Sequence, residues 1–564
     1  MKWLNIICIL LVCMACNKVH TEERYLASDG PMVTVYTIEG KQVTVVDSLP
    51  RQSKVEVNTD ACKRINKTEY LPIVHQGKDW YVLEDNTVQT PSECVLEKEI
   101  WVRTPASVID DTLTSHICGL GQKGHRYAVV GYDRLDAQGH VNRYKIQYSD
   151  TVCGYLYAKY TVSSEQEALL HYNAHYCDSI HSRVRNTFGG GEAIGCDFYP
   201  VAKPAFANNK MPASCYALYL NISPAVIGKI DSFIILAKQT KINTFVIDIK
   251  DNECPGYKAE AMALYSPTNY KWGGANKEKM YRYALKRLHE EGFYVVGRIT
   301  CFKDSYFVRD NPSCAITDKA TGKPFYHNNA NWPSAYDRRV WQFNVELAKE
   351  AVRKFGFNEI NFDYVRFPDK MTSIENQVDY HNRYGESKVQ AIQRFVQYAC
   401  DELHQLGVYV SIDVFGESAN KGYTTPYGQY WPALSNVADV MCGMPYPDHF
   451  AAGYGGIDKP WNNPYKTLSV WARSVQSRQQ ETTSPAKVRT WIQAYHVMHY
   501  VDPNGIDYNA ANIEKEIRAL FDNGLTGGYT TWLSTSSLER YRQQRQAFSI
   551  DYLKEKQKDD NLPK

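Results

Sequence analysis

Eight times between residues 216 and 533 an apolar, β-branched or aromatic run ends on polar groups and gives way to a segment able to form a helix. The runs are 216–222 (YALYLNI), 244–249 (TFVIDI), 294–300 (YVVGRIT), 359–363 (EINFD), 408–414 (VYVSIDV), 438–441 (ADVM), 489–495 (RTWIQAY) and 527–533 (GGYTTWL). Strands that alternate with helices build βαβ units on a parallel sheet. Eight such units in roughly 330 residues predict an α/β chain folded as a (β/α)8 TIM barrel with enlarged loops. Helices predicted over 277–291, 338–355 and 388–406 each stop before a glycine, Gly292, Gly356 and Gly407. Glycine takes the left-handed cap conformation at little steric cost. The rival fold is an open doubly wound sheet, but no GxGxxG follows a strand, which argues against its dinucleotide-binding version.

In a barrel the carboxyl ends of the strands form the rim that carries chemistry. The runs deliver Asn221; Asp248, Lys250 and Asp251; Arg298, Lys303 and Asp304; Asp363 and Arg366; Asp413 and Glu417; Tyr446 and Asp448; Gln493 and His496; and Trp532. The set is rich in carboxylates and aromatics. It holds no serine elbow, no Cys/His pair at a known spacing and no HExxH. Two carboxylates flanking a bond are the minimum equipment for glycoside hydrolysis: one protonates the leaving oxygen, the other attacks the anomeric carbon or activates water. With 42 Tyr and 11 Trp the chain has ring faces to stack on sugars, or simply a large aromatic core.

The segments FVIDIKD (245–251), RITCFKD (298–304), EINFDYVRFPD (359–369), DVFG (413–416), YGQYWPAL (427–434), MPYPDHFAAGYGG (444–456) and NPY (463–465) run in order through the barrel region. In them, residues 211–550 resemble a family of bacterial glycosyl hydrolase domains with a TIM-barrel fold and an uncharacterised substrate. The resemblance implies glycoside hydrolase-like chemistry. Asp448 stands where that family usually has serine, Cys442 and Gly443 where a more apolar strand end is usual, and Glu417 where no acid is fixed.

Asp363, ending the fourth run, is the candidate nucleophile, with Arg366 beside it to hold it ionised. Its simpler reading is a loop cap paired with Arg366. Asp413, ending the fifth run, is the candidate acid/base, with Glu417 as substitute. Carboxyl groups about 5–5.5 Å apart retain configuration and about 6.5–9.5 Å apart invert it, and the sequence leaves both open. Asp248 is assigned a hydrogen bond to a sugar hydroxyl or the orientation of Lys250, against a structural ion pair. Tyr364, Arg366, Tyr446, His449, Trp491, Gln493 and Trp532 are candidate substrate-binding residues. No cofactor is expected: His496 and His499 lack further ligands at a zinc spacing, and the glycines at 189–191 lack the ending of a phosphate loop.

Lys2, an apolar run over 3–15 and then Cys16 describe a secretory signal over 1–16, too short to span a bilayer. Ala15-Cys16 resembles a lipoprotein cleavage site with lipid on Cys16, which places the protein in the cell envelope; plain secretion is the alternative. Short alternating runs follow, such as 32–36 (MVTVY), 54–57, 80–83, 127–132 and 143–148, and read as small all-β structure. CGYLYAKYTV (153–162) resembles the end of a bacterial SH3-like domain. WYVLEDNTVQ (80–89) and the KEIWVRT run (98–104) resemble a more divergent first copy, which implies a divergent module over 30–103 and a second over 104–165, either glycan-binding or a spacer. A connecting segment (166–210) precedes the barrel and a polar tail (551–564) follows it. The net charge of +2 offers no field for nucleic acid. The expected partners are therefore a polysaccharide or cell-wall glycan and, through lipid, a membrane. The class of function is a glycoside hydrolase or a non-catalytic glycan-binding lipoprotein. Cys62 with Cys94, and Cys118 with Cys153, are spaced to permit bridges; Cys215, Cys254, Cys301 and Cys442 read as buried thiols.

Overall fold

The computed structural model describes residues 21–94, 96–136, 139–170, 193, 195–252, 254–273, 275–420 and 427–560. The signal segment with Cys16 and the triple glycine lie outside them. Two compact units emerge: 21–101 with 125–164, and 102–124 with 165–560.

The first unit is all-β. Alternation in Met32–Glu39 buries Val33 and Val35 against Val55, Val57, Leu71, Ile73 and Val82, as one-sided antiparallel strands require. Its sheet is fully antiparallel and runs through Gln42–Pro50, Met32–Glu39, Lys78–Leu83, Thr68–His75, Lys54–Asn58 and Thr21–Leu26. Thr21–Leu26 (TEERYL) was unreadable as a strand because its charges break the alternation; pairing with Lys54–Asn58 supplies what its side chains do not. Arg126–Tyr132, Arg143–Gln147 and Cys153–Tyr157 form a second antiparallel run. Lys78–Leu83 and Cys153–Tyr157 are each followed by one 3-10 turn and a two-residue strand. The four cysteines spaced for bridges are free thiols. Cys94 is buried and donates to the Leu26 carbonyl, Cys118 to that of Val108, and Cys153 to Gln147 Oε1.

In the second unit all eight expected barrel strands form, as Cys215–Leu220, Thr244–Asp251, Tyr294–Thr300, Glu359–Asp363, Tyr409–Phe415, Val440–Met444, a seventh position and Gly528–Trp532. Every neighbouring pair is parallel. The seventh position is two short strands broken at Arg489. Lys487–Val488 pairs with the sixth strand, Thr490–Gln493 with the eighth, and the first and eighth strands pair to close the ring. The helix Arg338–Phe355 ends on Gly356 at φ 73°, as its sequence dictates. Lys388–His404 starts from a reciprocal Ser387/Gln390 capping box. No helix among the described residues is long and apolar enough to cross a membrane.

Near the amino ends of the strands the barrel interior is plugged by a buried ion pair. Arg489 meets Glu359 through two bonds of 2.8 and 3.0 Å, and Tyr294 OH donates to the same carboxylate. Above it pack Ala217, Val246, Val296, Val440, Cys442 and Trp491. Gly443, unexpected at an apolar strand end, is explained by its neighbour: a Cβ there would stand 2.3 Å from Cζ2 of the buried Trp471. Gly443→Ala should therefore lower stability by about 1–3 kcal/mol through overpacking. In urea unfolding the midpoint should fall with an unchanged m value; an unchanged midpoint would show that Trp471 moves freely.

Candidate active site

The second, third, fourth and fifth strands each send one ionisable side chain to the same point inside the carboxyl rim. Alternation turns Asp248, Arg298, Asp363 and Asp413 inward. Arg298 is the hub. Its Nη1 donates to Asp248 Oδ1 at 2.6 Å and Asp251 Oδ1 at 3.1 Å, its Nη2 donates to Asp363 Oδ2 at 2.5 Å, and its Nε lies 3.9 Å from Asp413 Oδ2. Tyr219 and Trp532 place their rings 5.7 and 5.5 Å from the guanidinium. One cation thus faces four carboxylates. Burial opposes the Arg298 charge, but Asp248, Asp363 and Asp251 outweigh it and hold its pKa well above the usual range.

The carboxylates respond differently. Asp248 is 0% exposed, and burial, outweighing Arg298, pushes its pKa up to about 7. Its Oδ2 accepts from Tyr219 OH at 2.6 Å. Asp248 thus forms a structural ion pair with Arg298 inside the barrel, and it is not among the residues that line the cavity described below. Nor does it orient Lys250, which pairs with the buried Asp304 at 3.0 Å. Asp413, 1% exposed, is raised well above the ordinary value by burial first and by the Asp363 charge second. Its Oδ1 accepts from Trp491 Nε1 at 2.7 Å and Asn361 Nδ2 at 2.9 Å, while its Oδ2 has no hydrogen-bond partner.

Asp363 sits at the mouth of this cluster, 6% exposed. Arg298 takes one of its oxygens and the backbone N–H of Tyr364 the other. Tyr364 is held at φ 51°, a left-handed conformation costly for an aromatic residue and typical of functional turns. Arg366 is not the partner of Asp363. It donates to Phe367 O and Asp369 Oδ1, and lies over the rings of Phe415, Tyr364 and Trp332 at 4.6, 4.9 and 5.1 Å. The cation bonded to Asp363 is instead Arg298, from the neighbouring strand.

Beside the cluster opens a cavity of about 460 Å³ lined by Asp369, Phe415, Glu417, Tyr427, Tyr446, His449, Phe450 and Tyr454 among others. Tyr427 OH donates to Glu417, and burial followed by repulsion from Asp369 raises the Glu417 pKa. Phe450 and Tyr454 stack at 4.1 Å. His449 is half-exposed, with Nδ1 3.3 Å from the buried Asp448; burial lowers its pKa. Tyr446, His449 and Glu417 are therefore brought together on the cavity wall, with Tyr446 itself buried. Trp491 and Gln493 are not: both are buried, Trp491 on Asp413, and Gln493 accepting from the Asp448 N–H and donating to Tyr495 O. Neither offers a face to substrate, which corrects their assignment. Tyr219, Asn361 and the role of Arg298 went unread. Arg298 carried a signal, being a lone charge inside an otherwise apolar strand.

A family model described as "Putative glycosyl hydrolase domain" matches residues 217–539, more than half of the chain. No curated protein matches. Among solved structures, a hypothetical protein from Ruminiclostridium thermocellum is 32% identical, covering 35% of this chain and 97% of that one at a TM-score of 0.30. The glycoside hydrolase domain of PgaB (BpsB) from Bordetella bronchiseptica is 11% identical over 60% of this chain and 99% of its own, TM-score 0.39. A GH20 exo β-N-acetylglucosaminidase from Vibrio harveyi is 11% identical over 95% and 92%, TM-score 0.38.

An unfolded aspartate titrates near 3.9, whereas burial pushes the pKa of folded Asp248 up to about 7. Between these values the folded chain holds a proton that the unfolded chain has released, so raising the pH favours unfolding there. The stability of the wild type relative to Asp248→Asn should therefore fall as pH rises through that window and level off above it. Urea unfolding of both proteins at pH 5 and pH 8 checks this; a pH-independent difference would mean that Asp248 stays charged beside Arg298.

Proposed function

Because the chain belongs to the family described as "Putative glycosyl hydrolase domain", we propose that its barrel hydrolyses the O-glycosidic bonds of a polysaccharide by paired-carboxylate chemistry. The observation that carries this reading is the contrast between Asp413 and Asp363 around one arginine. Paired carboxyl groups whose environments differ take the roles of acid and base. Asp413 is pushed toward its protonated form and keeps one buried oxygen without a partner. That oxygen would give its proton to the leaving glycosidic oxygen as the bond to the anomeric carbon breaks. Asp363 would attack that carbon, or take the proton of the attacking water. A carboxylate has about four lone-pair sites, so the two bonds from Arg298 and Tyr364 position it without exhausting it. Glu417, with its own raised pKa in the aromatic cavity, is the substitute proton donor. The cavity rings would hold the sugar.

A second reading, a glycan-binding protein without turnover, is favoured by the same ion pair seen otherwise: Asp363 is tied to Arg298, and Asp413 lies deep. Release of reducing ends from envelope polysaccharides separates the two. On the hydrolase reading Asp363→Asn and Asp413→Asn each lose about 10²–10⁴-fold in rate, Glu417→Gln loses less, and wild-type activity falls as pH rises through the elevated pKa of Asp413. Binding without any released ends, from the wild type as from the variants, would establish the second reading.

We further propose that the protein is anchored in the cell envelope through lipid on Cys16, with the N-terminal β unit as a glycan-binding or spacing appendage. The basic start, apolar run and Ala15-Cys16 junction support this. Cys16→Ser should move the protein from the membrane fraction to the soluble envelope fraction; unchanged fractionation would refute the anchor.

A further inference from the structure

On the opposite rim, where the fifth and sixth strands begin, three side chains able to bind metal converge. Cys400 and His404 stand one turn apart on the last turns of the helix Lys388–His404, and Asp439 immediately precedes the strand Val440–Met444. The thiol sulfur, an imidazole nitrogen and a carboxylate oxygen all lie within 4.8 Å of one another. His404 Nε2 is 2.8 Å from Asp439 Oδ2, and the Val410 N–H donates to that same oxygen at 2.8 Å. The other oxygen, Oδ1, is buried and has no hydrogen-bond partner. Such a buried acceptor calls for a donor, an ordered water or an ion.

We propose that Cys400, His404 and Asp439 form a zinc site, with Asp439 Oδ1 as the oxygen ligand and water in the fourth position. A thiolate, an imidazole and a carboxylate suit zinc, which takes such mixed sets in tetrahedral geometry. The Val410 N–H on Oδ2 is the kind of outer contact that orients a ligating carboxylate. His404, 21% exposed, leaves a path for the ion and the water, and the Phe206 ring, 5.8 Å from the imidazole, covers one side. On binding, Cys400 releases its proton to solvent, the His404 proton moves through solvent from Nε2 to Nδ1, and the His404–Asp439 hydrogen bond gives way to two metal bonds. If the histidine and aspartate served only to tie the helix end to the sheet, Oδ1 would be left buried without a donor. Nothing in this site depends on hydrolysis at the other rim.

The test uses the full-length protein, stripped of metal and titrated with Co²⁺ as a spectroscopic probe. One cobalt per chain, with tetrahedral visible bands and a thiolate-to-metal charge-transfer band, is expected, and zinc should displace it. Cys400→Ser should abolish the charge-transfer band, and His404→Ala should weaken binding. Serine keeps a donor toward the Val437 carbonyl that the thiol now faces at 3.5 Å, so thermal melting of metal-free Cys400→Ser should match the metal-free wild type. No bound metal, or an unaltered spectrum in Cys400→Ser, would overturn the proposal.

Discussion

A single guanidinium buried among four carboxylates governs the upper half of this barrel. Arg298 joins the second, third and fourth strands by hydrogen bonds of 2.5–3.1 Å and approaches the fifth. Arginine can do this because its donors form a rigid fork and its charge persists when buried. It cannot neutralise all four acids. With one positive charge in a water-poor space, the remaining carboxyl groups must take protons or find partners elsewhere, as Asp248 does with Tyr219 and Asp413 with Trp491 and Asn361. The surplus of acid over base sets this end of the barrel apart from a simple staple.

The two ends of the barrel bear this out by contrast. At the amino ends of the strands Arg489 and Glu359 pair one to one, with Tyr294 on the same carboxylate. The two charges cancel there. A matched buried pair costs its desolvation and returns mainly geometry. At the carboxyl ends one arginine serves several acids, and Tyr364 is held in a left-handed conformation next to Asp363. Unbalanced charge and backbone strain coincide where a TIM barrel carries its reactions.

The eight strands were legible because each is a short apolar run in a fixed alternation with helices, and burial on both faces of a parallel strand demands such runs. Helix ends were legible through Gly292, Gly356 and Gly407. The carboxylates of the site were legible from their place at strand ends. Their partners were not, because partnership crosses strands: Arg298 lies 65 residues before Asp363, whereas Arg366 is three residues away and looked the natural mate. The inward parity of Arg298, two residues after the buried Val296, is the clue that local reading passes over. Trp491 and Gln493 misled for a related reason. An aromatic or amide at a strand end can point to substrate or into the barrel, and only the closing of the ring decides which.

Asp448 shows how a departure from the family pattern is absorbed. A serine there could accept one or two bonds and carries no charge. The aspartate is buried and gathers Tyr495 OH at 2.9 Å, the Met498 N–H at 3.4 Å and His449 Nδ1 at 3.3 Å. Burial raises its pKa while His449 works to lower it. The imidazole thus has a carboxyl group beside it and lines the cavity together with Glu417 and Tyr446. Tyr446 touches both regions, packing its ring 5.2 Å from His449 and within the field of Asp413 and Asp363. A sugar stacked in the cavity would thus meet the buried acid pair across one tyrosine. The Asp448–His449 pair, rather than the barrel cluster alone, would set how that sugar is turned toward it.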